Sequence, residues 1–569
     1  MATKPTDLLY GVDETPPLPR LLALGFQYAV LISVYLVVVV LVARAAGVTQ
    51  DVATDLVSLA LIAAALGTIA QSWNGRFLGS GYLAPPVYSA IYFAPAILAA
   101  KAGGLPAVAG MTIFAGLVEI GLSRLLDRLR VVFQPLIAGF AVLVVGIQLG
   151  LVGVSETLDA SGETGPEFLS DVFVGMVTLA ACIGFSIWGR GVFRLISTLL
   201  GLVLGIVVAL ATGILGPPTF ATVGAANWFD FPDPSFLGYG FEPLLVPAFI
   251  ASAVAATLRA VGVITTAQRI NDADWKRPDM DNISRGVAAD GLGCVLAGLG
   301  NAPGMSTAAS FVGLSSATAA TSRSIGFAAA AILIVFAFMP KVGAAIIGLP
   351  VGIAGAVLVF TAAFLVVSGI QVMLTHELEL RSGFAVSIAL FVGLFSQVNP
   401  EYFARLPGWL HTVTSDMLTI SLVIAIALTL LFRIGIRRRD AATWDATDAA
   451  RADLDTVLDR EAKAWRLDES VTDRAGHALD TVIGHLKEGA YLTTPVAIEA
   501  SYDNLELDIT LVYRGRPPPT LRRASRLALH HEDAAAGNGL AGFFLGTGAD
   551  RTSVTIRDDE VMIRLSFSA

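Results

Sequence analysis

"APPVYSAIYF" (Ala84–Phe93) and "APGMSTAASF" (Ala302–Phe311) are similar in one register. Both begin with Ala-Pro, place Ser or Thr before Ala in the middle, and end in Phe. Each lies in a short apolar segment interrupted by proline. Proline has no N–H to donate and clashes with the turn before it, so a helix must break there. The half-helix that follows aims its unpaired N–H groups into the protein interior, where they suit an anion or another acceptor. Short broken segments at matching positions of two halves point to the central site of a secondary transporter.

The surrounding chain is that of a polytopic membrane protein. Of 569 residues, 55% are apolar, and the mean hydropathy is +0.72. Uncharged apolar blocks occur at Leu21–Ala43, Leu56–Gly75, Phe77–Ala100, Val131–Ser155, Leu195–Phe229 and Val342–His376. Each can cross a hydrocarbon core of about 30 Å, which takes about 20 helical residues. Fourteen candidate segments fall near 21–46, 53–73, 83–97, 103–123, 131–153, 171–188, 193–215, 243–265, 286–301, 303–317, 325–345, 347–373, 383–399 and 415–435. The two broken stretches are the third and the tenth, the third of each group of seven.

Charge sets the expected orientation. A cytoplasmic N-terminus makes the even-numbered exits cytoplasmic, and most of these are basic: "RLLDRLR", "GRGVFR", "QRINDADWKRPDMDNISR", "TSRS" and "RIGIRRRD". The opposite side carries "SETLDASGETGPE" and a 215–242 loop without Lys or Arg; Arg44, Lys101 and Lys341 are exceptions. Both termini are therefore expected in the cytoplasm.

The expected domains are a polar tail at 1–19, a membrane domain at 20–436, a linker helix at 437–460 and a cytosolic α/β domain at 461–569. In the last, "VAIEASYD", "LELDITLVYRG", "TSVTIRDD" and "EVMIRLSFS" alternate like half-buried strands. The net charge of −9 says little about partners, because many acids lie in this tail. Cys182 and Cys294 are the only cysteines and sit in apolar segments, which implies no disulfide or metal framework. No Walker-type loop, His/Cys metal cluster or nucleophile elbow argues for an enzyme. No cofactor or nucleic-acid partner is expected.

"VAATLRAVGVITTAQ" (254–268) places Arg259 near the middle of a membrane helix. A charge there costs roughly 2.5–3.5 kcal/mol on insertion scales. A guanidinium keeps its proton at physiological pH. Arg259 either faces a substrate cavity, pairs with Asp290 or Glu119, or snorkels to the interface near Arg269.

Four longer stretches carry a family resemblance: "YGVDETPPLPRLLALGFQYAV", "RLLDRLRVVFQPLIAGFAVLVVGIQLGL", "ISRGVAADGLGCVLAGLGNAPGMSTAASFVGLSSATAATSRSIG" and "MPKVGAAIIGLPVGIAGAVLV". Over roughly residues 8–436 the chain resembles the nucleobase–ascorbate transporters, which include the xanthine and uracil permeases. Asp290, Gly291, Thr307, Gly313 and Ser322-Arg323 stand at the family spacing, and Gln134-Pro135 replaces a frequent Pro-Pro. The resemblance implies an all-α fold of fourteen transmembrane segments in two inverted repeats of seven, divided into core and gate domains. It also implies a homodimer in the plasma (bacterial inner) membrane. Substrate would lie between segments three and ten, against segment eight. Matched positions are Ser89, Ile91 and Tyr92 in segment three, Thr307, Ala309, Ser310 and Phe311 in segment ten, Arg259 in segment eight and Tyr28 in segment one. Asp290 and Glu119 are candidates for coupling or ion pairing.

Three positions depart from the family. Arg259 stands where the family has a nucleobase-binding Glu, Ser310-Phe311 where it has Glu or Gln then Asn, and Tyr28 where it has His. Arg259 cannot exchange a proton as Glu does, so coupling through that position is lost. The expected substrate is anionic: a purine anion such as urate or xanthine, with Tyr88, Tyr92 and Phe311 available for stacking. A small inorganic or carboxylate anion is the alternative, since the sulfate-permease and bicarbonate-exchanger families share this fold type. A membrane sensor with little transport is a third reading, because the tail more weakly resembles a degenerate GHKL-type ATPase domain. There, His477 and Thr481 of "HALDTVIGH" replace a catalytic Glu and a magnesium-binding Asn. "VYRGRPPP" replaces an adenine-reading Asp-x-Gly, and "GNGLAG" (Gly537–Gly542) resembles the Gly-rich box.

Overall fold

The computed structural model describes residues 4–6, 8–126, 135–158, 166–190, 192–216, 223–275, 278–374, 380–403, 405–407, 414, 416–432, 438–444, 460, 465, 469–488, 495–502, 506–514, 549, 551–557 and 560–568. The chain forms two units, Met1–Leu428 and Thr429–Ala569. The division falls inside the last apolar helix, ahead of the expected 436/437 boundary.

Among the described residues, the first unit is helical apart from two three-residue strands. Its first half contains α1 (Leu18–Val34), α2 (Val37–Ala45), α3 (Gln50–Ser72), β1 (Pro86–Tyr88), α4 (Ala90–Ser123), α5 (Pro135–Leu158), α6 (Pro166–Trp188), α7 (Val192–Leu195) and α8 (Ser197–Ala211). The second half contains α9 (Val246–Asn271), α10 (Met280–Leu299), β2 (Met305–Thr307), α11 (Ala309–Ala317), α12 (Arg323–Ala337), α13 (Pro340–Ile347), α14 (Val351–Met373), α15 (Leu380–Val398), α16 (Pro400–Phe403) and α17 (Met417–Phe432). Among the described residues, eight spans are long and apolar enough to cross a membrane, and α12 with α13, bent by 84°, makes a ninth. Expected segments three and four run on as α4. Its break comes not at Pro95 but at Gly103-Gly104, where Gly104 has a φ of +67° that a side chain disfavours.

The two similar stretches meet each other. β1 pairs antiparallel with β2, with Pro86 opposite Thr307 and Tyr88 opposite Met305. Helix contacts come in matched pairs across the halves: α1 packs on α12 as α9 packs on α4, and α3 on α12 as α10 on α4. α5 packs on α14 with backbones in contact. A Cβ on Gly139 would lie 2.5 Å from the Gly369 carbonyl oxygen, and one on Gly153 2.9 Å from that of Gly355. Small residues allow such approach, which is how helices gain dispersion contacts in lipid. α17 is capped by buried Asp416, which accepts from the Thr419 N–H (2.9 Å) and from Gln148 Nε2 (3.0 Å). An N-terminal strap lies along residues 319–323. The Leu9 N–H donates to the Ala319 carbonyl, the Thr321 N–H to that of Tyr10 and the Arg323 N–H to that of Val12. Arg323 also pairs with Asp13. Both cysteines are buried and free.

The second unit is an antiparallel sheet in the order β3-β4-β5-β7-β6. Its strands are β3 (Arg438–Trp444), β4 (Val496–Tyr502), β5 (Glu506–Arg514), β6 (Arg551–Arg557) and β7 (Glu560–Ser568). α18 (Glu469–Glu488) lays Val471, Ala475, Ala478, Val482 and Leu486 over Ile498, Ile509, Leu511, Ile563 and Leu565. The four alternating stretches therefore form strands. The linker helix expected over 437–460 does not form at 438–444, which pairs along β4 as an edge strand. "RRDAATW" lacks the alternation that marks a half-buried strand. Gly537–Gly542 and residues 515–519 lie outside the described residues. His477 is exposed, and the Thr481 hydroxyl donates to its carbonyl (2.8 Å). Leu565→Ala, in a fully buried position, should destabilise this unit by about 2–5 kcal/mol. Limited proteolysis of the full chain in urea should then release the tail at lower denaturant than in the parent.

Candidate functional site

The antiparallel pairing sets the starts of two half-helices at opposite ends of one short ribbon, α4 after Tyr88 and α11 after Thr307. α4 begins after Ser89, whose Oγ accepts from the Ile91 N–H at 3.2 Å. α11 begins after Ala308, which has no side-chain cap to offer. The first N–H groups of α11 are therefore left without the hydroxyl partner that α4 has.

α9 brings Arg259 to this point. Its Nη1 donates to Ser89 Oγ at 3.3 Å, and the side chain is half-buried. It does not snorkel. Among the described residues no carboxylate oxygen lies within 4.0 Å of its nitrogens. The expected ion pair with Asp290 or Glu119 is therefore not formed, because both acids have other work. Asp290 Oδ1 accepts from the Thr307 N–H (2.7 Å) and its Oδ2 from Ser306 Oγ (3.2 Å). Glu119 accepts from the Tyr92 hydroxyl. A cation thus stands beside a helix start, where the helix dipole already places positive charge.

Both helices leave one face open. On α9, Gly262, Thr266 and Arg269 are exposed and follow Arg259 at intervals of three or four residues. On α11, Ala309, Ser310, Gly313 and Ser316 are exposed. A Cβ on Gly262 or Gly313 would meet nothing within 4 Å. The two helices touch through Val263, Ala267 and Val312.

The expected aromatic platform is not open: Phe311 is itself buried, packed against Tyr28 and Tyr35. The Tyr88 hydroxyl donates to the Ala60 carbonyl at 2.7 Å, and the ring is buried. Tyr92 is buried against Gly304, where a Cβ would come within 2.4 Å of its ring. Neither ring has a free face for stacking. Tyr28 lies behind Phe311, donating to its carbonyl (3.1 Å) with ring centroids 5.4 Å apart, so it supports Phe311 rather than lining open space. Ile91 contributes backbone: its carbonyl accepts from Ser252 Oγ at 2.9 Å. Ser252 and Ser306 are supports that the sequence reading missed. Ser252 lies two helical turns before Arg259 on the same face, which is a signal available in the sequence.

A helical membrane chain whose halves meet as paired half-helices around a basic side chain is built as a carrier. The profile of the xanthine/uracil permeases, described as "Permease family", matches residues 19–402. That is well over half of the chain, and the chain belongs to this family. It is a transporter and not an enzyme. A Clostridium perfringens protein that carries a purine-permease name is 28% identical over 74% of this chain and 92% of its own length. The nucleobase transporter PlUacP of Paenibacillus larvae is 26% identical over 76% of this chain and 99% of its own. The uric acid permease PucJ of Bacillus subtilis is 26% identical over 75% and 95%. Among solved structures, murine Slc26a9 in its inward-facing state matches at a TM-score of 0.47 with 12% identity, over 72% of this chain and 70% of that one. The transmembrane domain of the cyanobacterial bicarbonate transporter BicA matches at 0.44 with 13% identity, over 74% and 99%.

Proposed function

We propose that this permease carries an anionic purine, of the xanthine or urate type, by alternating access. One observation carries the charge assignment: Arg259 is a half-buried cation at a half-helix start with no carboxylate within 4.0 Å among the described residues. Left alone, that arrangement is unfavourable, and a bound anion offsets it. The planar fork of a guanidinium matches the O–C–N edge of a purine anion. The names of the relatives, nucleobase transporter and uric acid permease, support the purine. In this reading the binding groups are Arg259, Ser89, Thr307, Ala309, Ser310 and Phe311.

The same reading includes fourteen segments in two inverted repeats of seven, a homodimer, and a plasma-membrane location with both termini cytoplasmic. The β1–β2 pairing and the matched helix contacts support the repeats, and the basic even-numbered exits support the orientation. The tail is taken as a nucleotide-free relative of the GHKL fold, supported by a sheet covered by α18. A small inorganic or carboxylate anion is the second reading, favoured by the turned-away rings of Tyr88 and Tyr92.

Thermal stabilisation of the detergent-purified chain separates these readings. A ligand at 100 times its Kd adds about 2.7 kcal/mol to the folded state. Xanthine and urate, tested where they are anionic, should raise Tm, while uracil held neutral should not. Stabilisation by neutral uracil alone sinks the anion, and stabilisation by bicarbonate or sulfate but not purines selects the second reading.

A further inference from the structure

Besides Asp416, which caps α17, two carboxyl groups are buried in the membrane unit among the described residues: Glu119 on α4, with 0% exposure, and Asp290 on α10, with 1%. Glycines bring them together. A Cβ on Gly291 would lie 2.7 Å from the Gly116 carbonyl oxygen and 2.9 Å from Cβ of Glu119. This close backbone approach sets Glu119 of α4 beside Asp290.

The two acids are partnered differently. Both oxygens of Asp290 are engaged, by the Thr307 N–H and the Ser306 hydroxyl, so this group anchors β2. Glu119 receives one hydrogen bond, from Tyr92 to Oε1, and its buried Oε2 has no partner among the described residues. The groups facing it are Tyr92 from α4 itself and Asp290 and Cys294 from α10. The Cys294 thiol donates to the Met305 carbonyl at 2.8 Å. Arg259, from α9, acts on Asp290. No cation pairs with Glu119 among the described residues. A buried carboxylate with one bare oxygen and a second carboxyl beside it is costly, whereas a carboxylic acid carrying its proton on Oε2 is not.

We propose that Glu119 is a proton-binding site of the carrier, loaded together with the anion. A proton from the aqueous phase on one side converts the carboxylate to the acid at Oε2, and the acid returns it to water on the other side. No other bond changes. Tyr92 links this site to the substrate, because it lies in the first turn of α4, three residues after Ser89, which holds Arg259. Arg259 cannot exchange a proton, so the proton and the anion sit on different side chains of one cluster. A monovalent anion and a proton moving together carry no net charge.

The inference rests on the carrier reading, and its tests keep the two apart. The full chain in proteoliposomes is given radiolabelled xanthine in two assays. Counterflow without a pH gradient reports transport, and accumulation under an imposed inside-alkaline gradient reports coupling. The parent should show both. Glu119→Gln should keep counterflow and lose accumulation, with internal xanthine stopping at the external concentration. Accumulation by Glu119→Gln equal to the parent's overturns the proposal. A parent without counterflow overturns the choice of xanthine instead, and infrared spectroscopy then decides the proton site. The purified parent at neutral pH should show a protonated-carboxyl band that Glu119→Gln removes, Asp290→Asn keeps and Tyr92→Phe shifts. A parent without that band overturns the proposal whatever the substrate.

Discussion

Arg259→Ala should weaken purine-anion binding by at least about 30-fold, because truncating one partner of a buried, hydrogen-bonded charge pair costs 2–5 kcal/mol or more. Titration calorimetry with urate on the detergent-purified variant measures it. Folding should respond in the opposite sense. Arg259 makes one long hydrogen bond, to Ser89 at 3.3 Å, and stands against a half-helix start. Removing the cation relieves that repulsion, so the ligand-free Tm should hold or rise. Arg259→Lys keeps the charge but loses the fork, and should fall between parent and Ala. Unchanged binding with a lowered Tm would make Arg259 a structural residue.

Gly369→Val should prevent the membrane unit from assembling. A Cβ at Gly369 would lie 2.6 Å from the Leu143 nitrogen and 2.7 Å from the Gly139 carbonyl oxygen. Both are backbone atoms, so no rotamer change clears them and α5 must move off α14. The cost should exceed ~3 kcal/mol, above the usual range for overpacking. It reads out as loss of the monodisperse peak in size-exclusion chromatography. Gly262→Ala is the contrast. Nothing lies within 4 Å of its added Cβ, and in a helix interior Ala is favoured over Gly by about 1 kcal/mol. That variant should fold at least as well as the parent. Normal assembly of Gly369→Val would show that the α5–α14 contact is not needed.

The breaks at Ala84–Phe93 and Ala302–Phe311 are legible in the sequence because proline acts locally, whereas the nearness of the two stretches is implied only by the family resemblance. The four tail strands are legible too, because their alternation follows from a sheet covered on one face. The direction of Tyr88 and Tyr92 is not legible, because it is decided by Ala60 and Glu119, whose positions depend on how α3 and α4 pack. Nor is the division of labour between Arg259 and the two acids. All three are visible as charges in apolar segments, but only the fold gives Asp290 to β2 and Glu119 to Tyr92. The edge strand at Arg438–Trp444 escapes notice because its pairing, not its composition, makes it a strand.

The N-terminal strap has a consequence for biogenesis. Tyr10 and Thr321 are 311 residues apart, yet they bond in the finished protein. At translation rates of 5–20 residues per second, the first residues wait on the order of 15 to 60 s for their partners to be made. By then α1 to α11 have left the ribosome in order. The strap closes only if the loop after α11 emerges on the same side of the bilayer as the N-terminus. A chain with one helix inserted the wrong way round leaves Tyr10 without a seat. The strap thus registers the side of the bilayer on which the loop after α11 has emerged.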